Sequence, residues 1–192
     1  MKVKKKIIVG ITGASGAIYG IRLLEVLNED VVLIISAHGK ELIEEETSCE
    51  LPQLQKKVTY YEDSQLDAPV SSGSNLFHAM IVVPCSVSTL SKIACGISDT
   101  LITRCASIAL KERRNLILVP RETPLSTIHL QNMTTLSMQG VILLPAMPGF
   151  YSRPSTIDHM VDFIVGKILD QLQIDHELYE KWRPTLHRDS PF

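Results

Sequence analysis

Residues 7–16 read Ile-Ile-Val-Gly-Ile-Thr-Gly-Ala-Ser-Gly, a short β-branched run that breaks into a turn of small residues with Gly10, Gly13 and Gly16 three apart. The run is apolar on successive residues rather than alternate ones, which is how a strand reads when both of its faces are covered, as in a parallel sheet. Downstream, Ala17 to Asn28 carries Ile18, Ile21, Leu24, Val26 and Leu27 at near-helical spacing and leaves Arg22, Glu25, Asn28 and Glu29 for solvent. Val31 to Ser36 is a second apolar run, so residues 7–36 predict one βαβ unit. The same reading gives strands at Met80 to Pro84, Leu116 to Pro120 and Val141 to Pro145, with a weak one at Val58 to Tyr61 inside an irregular stretch from Pro52 to Gly73. Helices are predicted at Gly39 to Cys49, Ile97 to Arg113, Ser126 to Met138 and Thr156 to Leu172, the last with Ser155 as its N-cap and Asp158 in its first turn. The expected class is α/β, a parallel sheet wound with crossover helices.

At 192 residues, 45% hydrophobic and 21% charged, the chain predicts a single domain over 1–192, with a polar tail from about residue 175 that holds the lone Trp182. Nineteen basic against twenty-one acidic side chains leave a net charge of −2, without the cationic field that attracts nucleic acid or an anionic membrane. Met1 to Lys6 is basic, but the apolar run after it is too short for a signal-peptide core, and nothing approaches a membrane span. A cytoplasmic protein is expected. Cys49, Cys85, Cys95 and Cys105 form no CxxC pair and read as free thiols in a reducing compartment. The six histidines are scattered with no HxxxH pair, so no metal site is expected and each histidine reads as a surface or capping residue.

In an open parallel sheet, ligands bind beyond the carboxyl ends of the strands. After the first strand, the turn Gly13-Ala14-Ser15-Gly16 feeds a helix whose free N–H groups and positive dipole end suit a phosphate, although a tight strand-to-helix turn explains the glycines almost as well. The second strand ends in Ser36 and has no carboxylate for an adenosine ribose, which favours a mononucleotide such as FMN over NAD. The third runs into Ser86-Val87-Ser88-Thr89, either an ordinary N-cap cluster or a second anion-binding turn, and the fourth into Arg121-Glu122, either a surface ion pair or a functional cation and carboxylate at the crevice. Arg104 and Lys111, seven residues apart, share a helix face that is largely apolar and looks packed. Arg104 is then a buried anion ligand or a snorkelling side chain, and a solvated face suits Lys111 at least as well. Pro145 to Pro154, with Phe150 and Tyr151, makes a stiff loop fit to cover a ring or an apolar tail, and Lys167 reads as a solvent-facing helical lysine.

Thr12-Gly-Ala-Ser-Gly-Ala17, Ser71-Ser-Gly-Ser74, Pro84-Cys-Ser86 with Thr89-Leu90, Leu110-Lys-Glu-Arg-Arg114, Val119-Pro-Arg-Glu-Thr-Pro-Leu125, Ile128-His-Leu-Gln-Asn-Met133 and Pro148-Gly-Phe-Tyr151, in that order, resemble the flavin prenyltransferases of the UbiX type. The likeness runs from Ile7 to about Trp182. It implies a three-layer, Rossmann-like flavoprotein fold of the flavodoxin and cysteine-decarboxylase kind, in a homo-oligomer that is typically a dodecamer. The implied reaction joins dimethylallyl from dimethylallyl monophosphate to N5 and C6 of reduced FMN, without a metal, and makes prenylated FMN for a UbiD-type decarboxylase. By the same resemblance Gly13, Ala14, Ser15, Ser36, Ser86, Val87, Ser88, Thr89 and Arg121 are the FMN contacts. Tyr151 and Lys167 hold the prenyl phosphate, joined by Arg104, Lys111 and Arg121. Glu122 and Ser15 handle protons at the flavin, and Trp182 closes the site from the tail.

Two rival readings carry different consequences. A flavin-dependent cysteine decarboxylase shares the implied fold, but its P-x-M-N-x-x-M-W clamp is replaced here by Pro145-Ala-Met147-Pro148-Gly-Phe-Tyr151. A non-catalytic FMN carrier would need no Arg, Lys or Glu at the transfer positions, and this chain has them all.

Overall fold

The structure, a computed structural model, describes residues 4–55 and 58–181. Six strands, β1 (Lys6–Ile11), β2 (Asp30–Ile35), β3 (Thr59–Glu62), β4 (Ala79–Cys85), β5 (Asn115–Pro120) and β6 (Ile142–Leu143), form one sheet in the order β3-β2-β1-β4-β5-β6. Every pairing is parallel, with β1 central in register: Ile8 lies opposite Val32 on one side and Met80 on the other. Between the strands run α1 (Ala17–Val26), α2 (Ala37–Glu46), the short α3 (Leu51–Gln55), α4 (Val87–Ala94), α5 (Leu101–Lys111) and α6 (Thr127–Met138), and α7 (Ile157–Leu172) follows β6. The architecture is three-layer α/β.

Successive strand residues feed opposite faces. Ile8, Val32, Met80, Val82 and Leu116 pack with Leu90, Ile93, Ile102 and Cys105 of α4 and α5, while Ile7, Val9, Leu33, Ile81 and Ile117 line the other face, fully buried. This two-sided burial is why the strands read as unbroken apolar runs. At the carboxyl edge the hydroxyl of Thr12, itself 2% exposed, donates to Pro84 O at 2.9 Å and accepts from Ser86 N at 2.8 Å. One side chain thereby ties the ends of β1 and β4 together at the point where the strand order reverses.

The chain divides into two compact units, one up to Ala146 and one from Met147. In the first, several boundaries differ from those the sequence predicts. The helix expected from Ile97 begins at Leu101, because Thr100 and Thr103 close a reciprocal capping box there. The irregular stretch 52–73 contains α3, β3 and a 3-10 turn at Pro69–Ser71, and the last strand shortens to Ile142–Leu143. In the second unit α7 is capped by Thr156, whose hydroxyl accepts from His159 N, and not by Ser155, while Asp158 does sit in its first turn. The four cysteines are free thiols, and burial pushes those of Cys85 and Cys105 up to about 12. Among the described residues no helix is long and apolar enough to cross a membrane.

Candidate active site

A cleft of about 450 Å³ opens where β1, β2, β3, β4 and β5 end, lined in part by Gly13, Ala14, Ser36, Asp63, Ser86, Thr89, Arg121 and Glu122. Gly13 has to be glycine, since a Cβ there would stand 2.6 Å from that of His38 in the first turn of α2. Ser36 caps α2, accepting from Gly39 N at 3.1 Å, and Ser86 caps α4, accepting from Thr89 N at 3.2 Å. Val87 and Ser88 are the first helical residues of α4 and also border the cleft, so the amino end of that helix opens into it. The helix amino end gives this corner a positive dipole end, and Arg121 and Lys92, the latter paired with Asp99 at 2.7 Å, add cationic side chains to the lining, a combination that suits an anion.

The glycine turn after β1 is arranged differently from its sequence reading. Gly16, at φ 106 in a conformation open to glycine, caps α1 without a side-chain bond. The N–H groups of Gly16 and Ala17 instead donate to Glu46 at 2.8 and 3.0 Å, and the Ser15 hydroxyl hydrogen-bonds the same carboxylate. Burial opposes the charge on Glu46, but these bonds and the Arg121 guanidinium hold its carboxyl below the usual glutamate value. The positive end of α1 is therefore filled by the protein's own anion. Arg121 Nε donates to Ser15 O at 3.0 Å, which fixes the guanidinium against the turn, and Glu122 accepts from Thr123 N at 3.0 Å. On the opposite wall Asp63 anchors α5: its carbonyl accepts from Leu101 N and its carboxylate from Ile102 N, both at 2.7 Å. Burial raises the Asp63 carboxyl above its ordinary value, with the Ile102 bond working the other way.

Ten of the expected residues fall at or beside this cleft, namely Gly13, Ala14, Ser36, Ser86, Val87, Ser88, Thr89, Arg121 and Glu122 in its lining and Ser15 on its rim through Arg121 and Glu46. Arg104 and Lys111 are not in the lining. Both are exposed, so the face they share is not packed. Lys111 ends α5, one turn before β5 begins, and pairs with Glu112 at 2.5 Å. It therefore stands at the amino edge of the sheet, where neighbouring Arg114 donates to Gly73 O at 2.6 Å and Asn75 O at 3.1 Å.

In the second unit the structure brings Tyr151 and Lys167 together around Phe163. The Tyr151 ring meets Phe163 edge-on at 5.8 Å, and the Lys167 amine lies 5.7 Å from the Phe163 ring centre and 4.9 Å from that of Tyr179. Lys167 is not the bare solvent lysine its sequence suggests, and His176, expected at the surface, has a side chain only 6% exposed. Trp182 lies outside the described residues. Glu46, Asp63 and Lys92 escape the sequence reading. Glu46 hides in the acidic run Glu44-Glu45-Glu46, and Asp63 follows a strand too weak to mark its own end. Among the described residues no group of three or more His, Cys, Asp or Glu side chains is placed to hold a metal.

The flavoprotein family model matches residues 1–169. The flavin prenyltransferase UbiX of Thermoplasma acidophilum is 52% identical over 179 residues, covering 92% of this chain and 99% of that protein. The chain belongs to the flavin prenyltransferase family. Two solved UbiX-type structures superpose closely. AnUbiX in complex with FMN and dimethylallyl pyrophosphate has a TM-score of 0.91 at 40% identity, over 94% of this chain and 98% of its own. A dodecameric FMN-dependent UbiX-like decarboxylase from Escherichia coli O157:H7 has a TM-score of 0.90 at 43% identity, over 93% and 99%.

Proposed function

We propose that this protein transfers a dimethylallyl group from a dimethylallyl phosphate ester to N5 and C6 of reduced FMN, and that the prenylated FMN it makes serves a UbiD-type decarboxylase. The observation that carries the reading is the juxtaposition, on one cleft, of an open helix amino end and a fixed guanidinium with a carboxylate beside it. The donor set fits FMN: one phosphate for the amino end of α4, and hydroxyls of Ser36, Ser86 and Thr89 for the phosphate and ribityl chain.

When bound, the flavin supplies the nucleophile, and this chain's residues handle charge and protons around it. Ionising an allylic C–O bond leaves negative charge on the departing phosphate, so cations preorganised near it stabilise the transition state more than the ground state. Arg121, Lys167 with Tyr151, Arg104 and Lys111 are the groups we assign to that task. Glu122 is the base we assign to the flavin proton lost on ring closure. Ser15 bonds Glu46 and offers a second path for a proton, from hydroxyl to carboxylate. Trp182 is assigned to closure of the site from the tail.

The exposed positions of Arg104 and Lys111 favour service in a neighbouring subunit's site. Ile128, Leu130 and Met138 of α6, respectively 66%, 50% and 84% exposed, are the apolar surface an oligomer would cover, and we propose a homododecamer. Free thiols agree with a cytoplasmic setting. The test is anaerobic incubation of the purified protein with reduced FMN and either dimethylallyl monophosphate or the pyrophosphate, followed by mass analysis of the extracted flavin. A flavin heavier by one prenyl unit is expected with the monophosphate. Unmodified FMN with both donors, from protein that binds it, would make the protein a carrier.

A further inference from the structure

Two features of α7 are unexplained by the transfer reaction itself. Gly166 lies in mid-helix, where glycine is intrinsically unfavourable, and the chain after α7 folds back over that helix instead of leaving it. The reversal begins at Gln173, in the left-handed region at φ 56, with Ile174 N bonded to Leu169 O at 3.0 Å in the manner of a Schellman cap. It lays His176 and Tyr179 on the 166–170 face. A Cβ at residue 166 would stand 2.5 and 2.6 Å from ring carbons of Tyr179 and 2.8 Å from His176 Cε1, so only glycine leaves room for them.

These two rings converge on one carboxylate. The Tyr179 hydroxyl donates to Asp170 Oδ2 at 2.5 Å and His176 Nε2 lies 3.2 Å from Oδ1, so both oxygens are held. The Lys167 amine stands 3.7 Å from Oδ2 with the Tyr179 ring 4.9 Å from it. A lysine amine on a four-carbon stem has many rotamers, and a carboxylate fixed from two sides with an aromatic face beside it removes most of them. The Tyr179 hydroxyl, set beside the amine by its bond to Asp170, is also the leading influence that raises the Lys167 pKa above its ordinary value, which keeps the amine charged.

We propose that Tyr179 and Asp170, locked by His176 and seated by Gly166, are positioning residues that hold the Lys167 amine for the phosphate of the prenyl donor. This rests on the reading of Lys167 as a donor ligand given above, and it extends the site to the segment after α7.

The experiment is steady-state kinetics of prenyl transfer by the full chain, with dimethylallyl monophosphate varied at saturating reduced FMN, on Tyr179→Phe, Lys167→Ala and the double variant. Tyr179→Phe keeps the ring on Gly166 and removes only the hydroxyl. It should raise the donor KM about tenfold, with a much smaller change in kcat and an unchanged FMN Kd. In the Lys167→Ala background the same change should have no further effect, because the group it positions is gone. Gly166→Ala, which evicts the rings, should raise the donor KM at least as much. Tyr179→Phe with an unaltered KM, or with the same rise in both backgrounds, overturns the positioning role while leaving Lys167 as a ligand. Lys167→Ala with an unaltered donor KM overturns the ligand reading itself, and the positioning role with it.

Discussion

The cleft of the first unit fixes its polar groups largely through main-chain atoms, whereas the surroundings of Lys167 in the second are built almost wholly of side chains. Ser36 and Ser86 are held by helix N–H groups, Arg121 by the carbonyl of Ser15, and Asp63 by the N–H of Ile102. Around Lys167 the fixed points are the phenol of Tyr179, the imidazole of His176, the ring of Phe163 and the carboxylate of Asp170. A main-chain bond moves only if the element moves, and the carboxyl halves of β1, β2, β4 and β5 are fully buried in the sheet. A side-chain cage can be dismantled by one substitution without disturbing the helix beneath it. On the proposed reading, the first region retains FMN and the second grips the prenyl donor.

That contrast can be broken in several ways, beginning with the largest expected effect. Glu122→Gln should slow product formation about a hundredfold, the range for a lost general base, while FMN affinity stays as it was. Single-turnover mixing of the variant with reduced FMN and donor measures this, and unaltered turnover would remove Glu122 from the chemistry. Lys167→Ala should raise the donor KM by about ten- to a hundredfold and leave the FMN Kd alone, since a bond to a charged group is lost only in the second region. Equal weakening of both ligands would erase the distinction between the regions. Arg121→Gln should weaken FMN about tenfold in a flavin fluorescence titration, with the main-chain donors of α4 retaining the rest.

Smaller effects sharpen the picture. Ser86→Ala removes the cap of α4 and should cost about 1 kcal/mol in urea unfolding, with Val87 and Ser88 still presenting their N–H groups. Glu46 titrates below its ordinary value in the folded chain, so its contribution to stability is complete above the usual glutamate pKa and fades as pH drops through the lower folded value. Acid unfolding monitored by circular dichroism should accordingly lose part of its pH dependence in Glu46→Gln. The loss should be slight, because the residue is exposed to solvent.

The same contrast explains what could be read from the sequence. Strand runs such as Ile7 to Ile11 and Met80 to Pro84 announce themselves because two-sided burial demands unbroken apolar residues, and the groups just beyond them then follow from the topology rule. Ser36, Ser86, Arg121 and Glu122 were legible for that reason. Asp63 was not, since β3 is an edge strand of mixed residues, Thr59-Tyr-Tyr-Glu62, whose partner lies on one side only. Glu46 belongs to a helix in sequence and to the neighbouring turn in space, a contact that spans 30 residues and leaves no local pattern. The Thr100 capping box was present in the letters, yet its signal is weaker than the apolar periodicity that drew the predicted helix back to Ile97. Asp170, His176 and Tyr179 have ordinary spacings, and only the reversal at Gln173 gives them a common purpose.

The carboxylate that fills the amino end of α1 carries one more consequence. With strand order β3-β2-β1-β4-β5-β6 this sheet has the topology on which dinucleotides are commonly bound, their pyrophosphate resting on the first helix. Here a ligand with two bridged phosphates would have to displace Glu46 from two backbone donors and a serine hydroxyl before its second phosphate could settle. The chain thus carries a built-in tenant at the berth that the second phosphate of a longer nucleotide would claim in this topology.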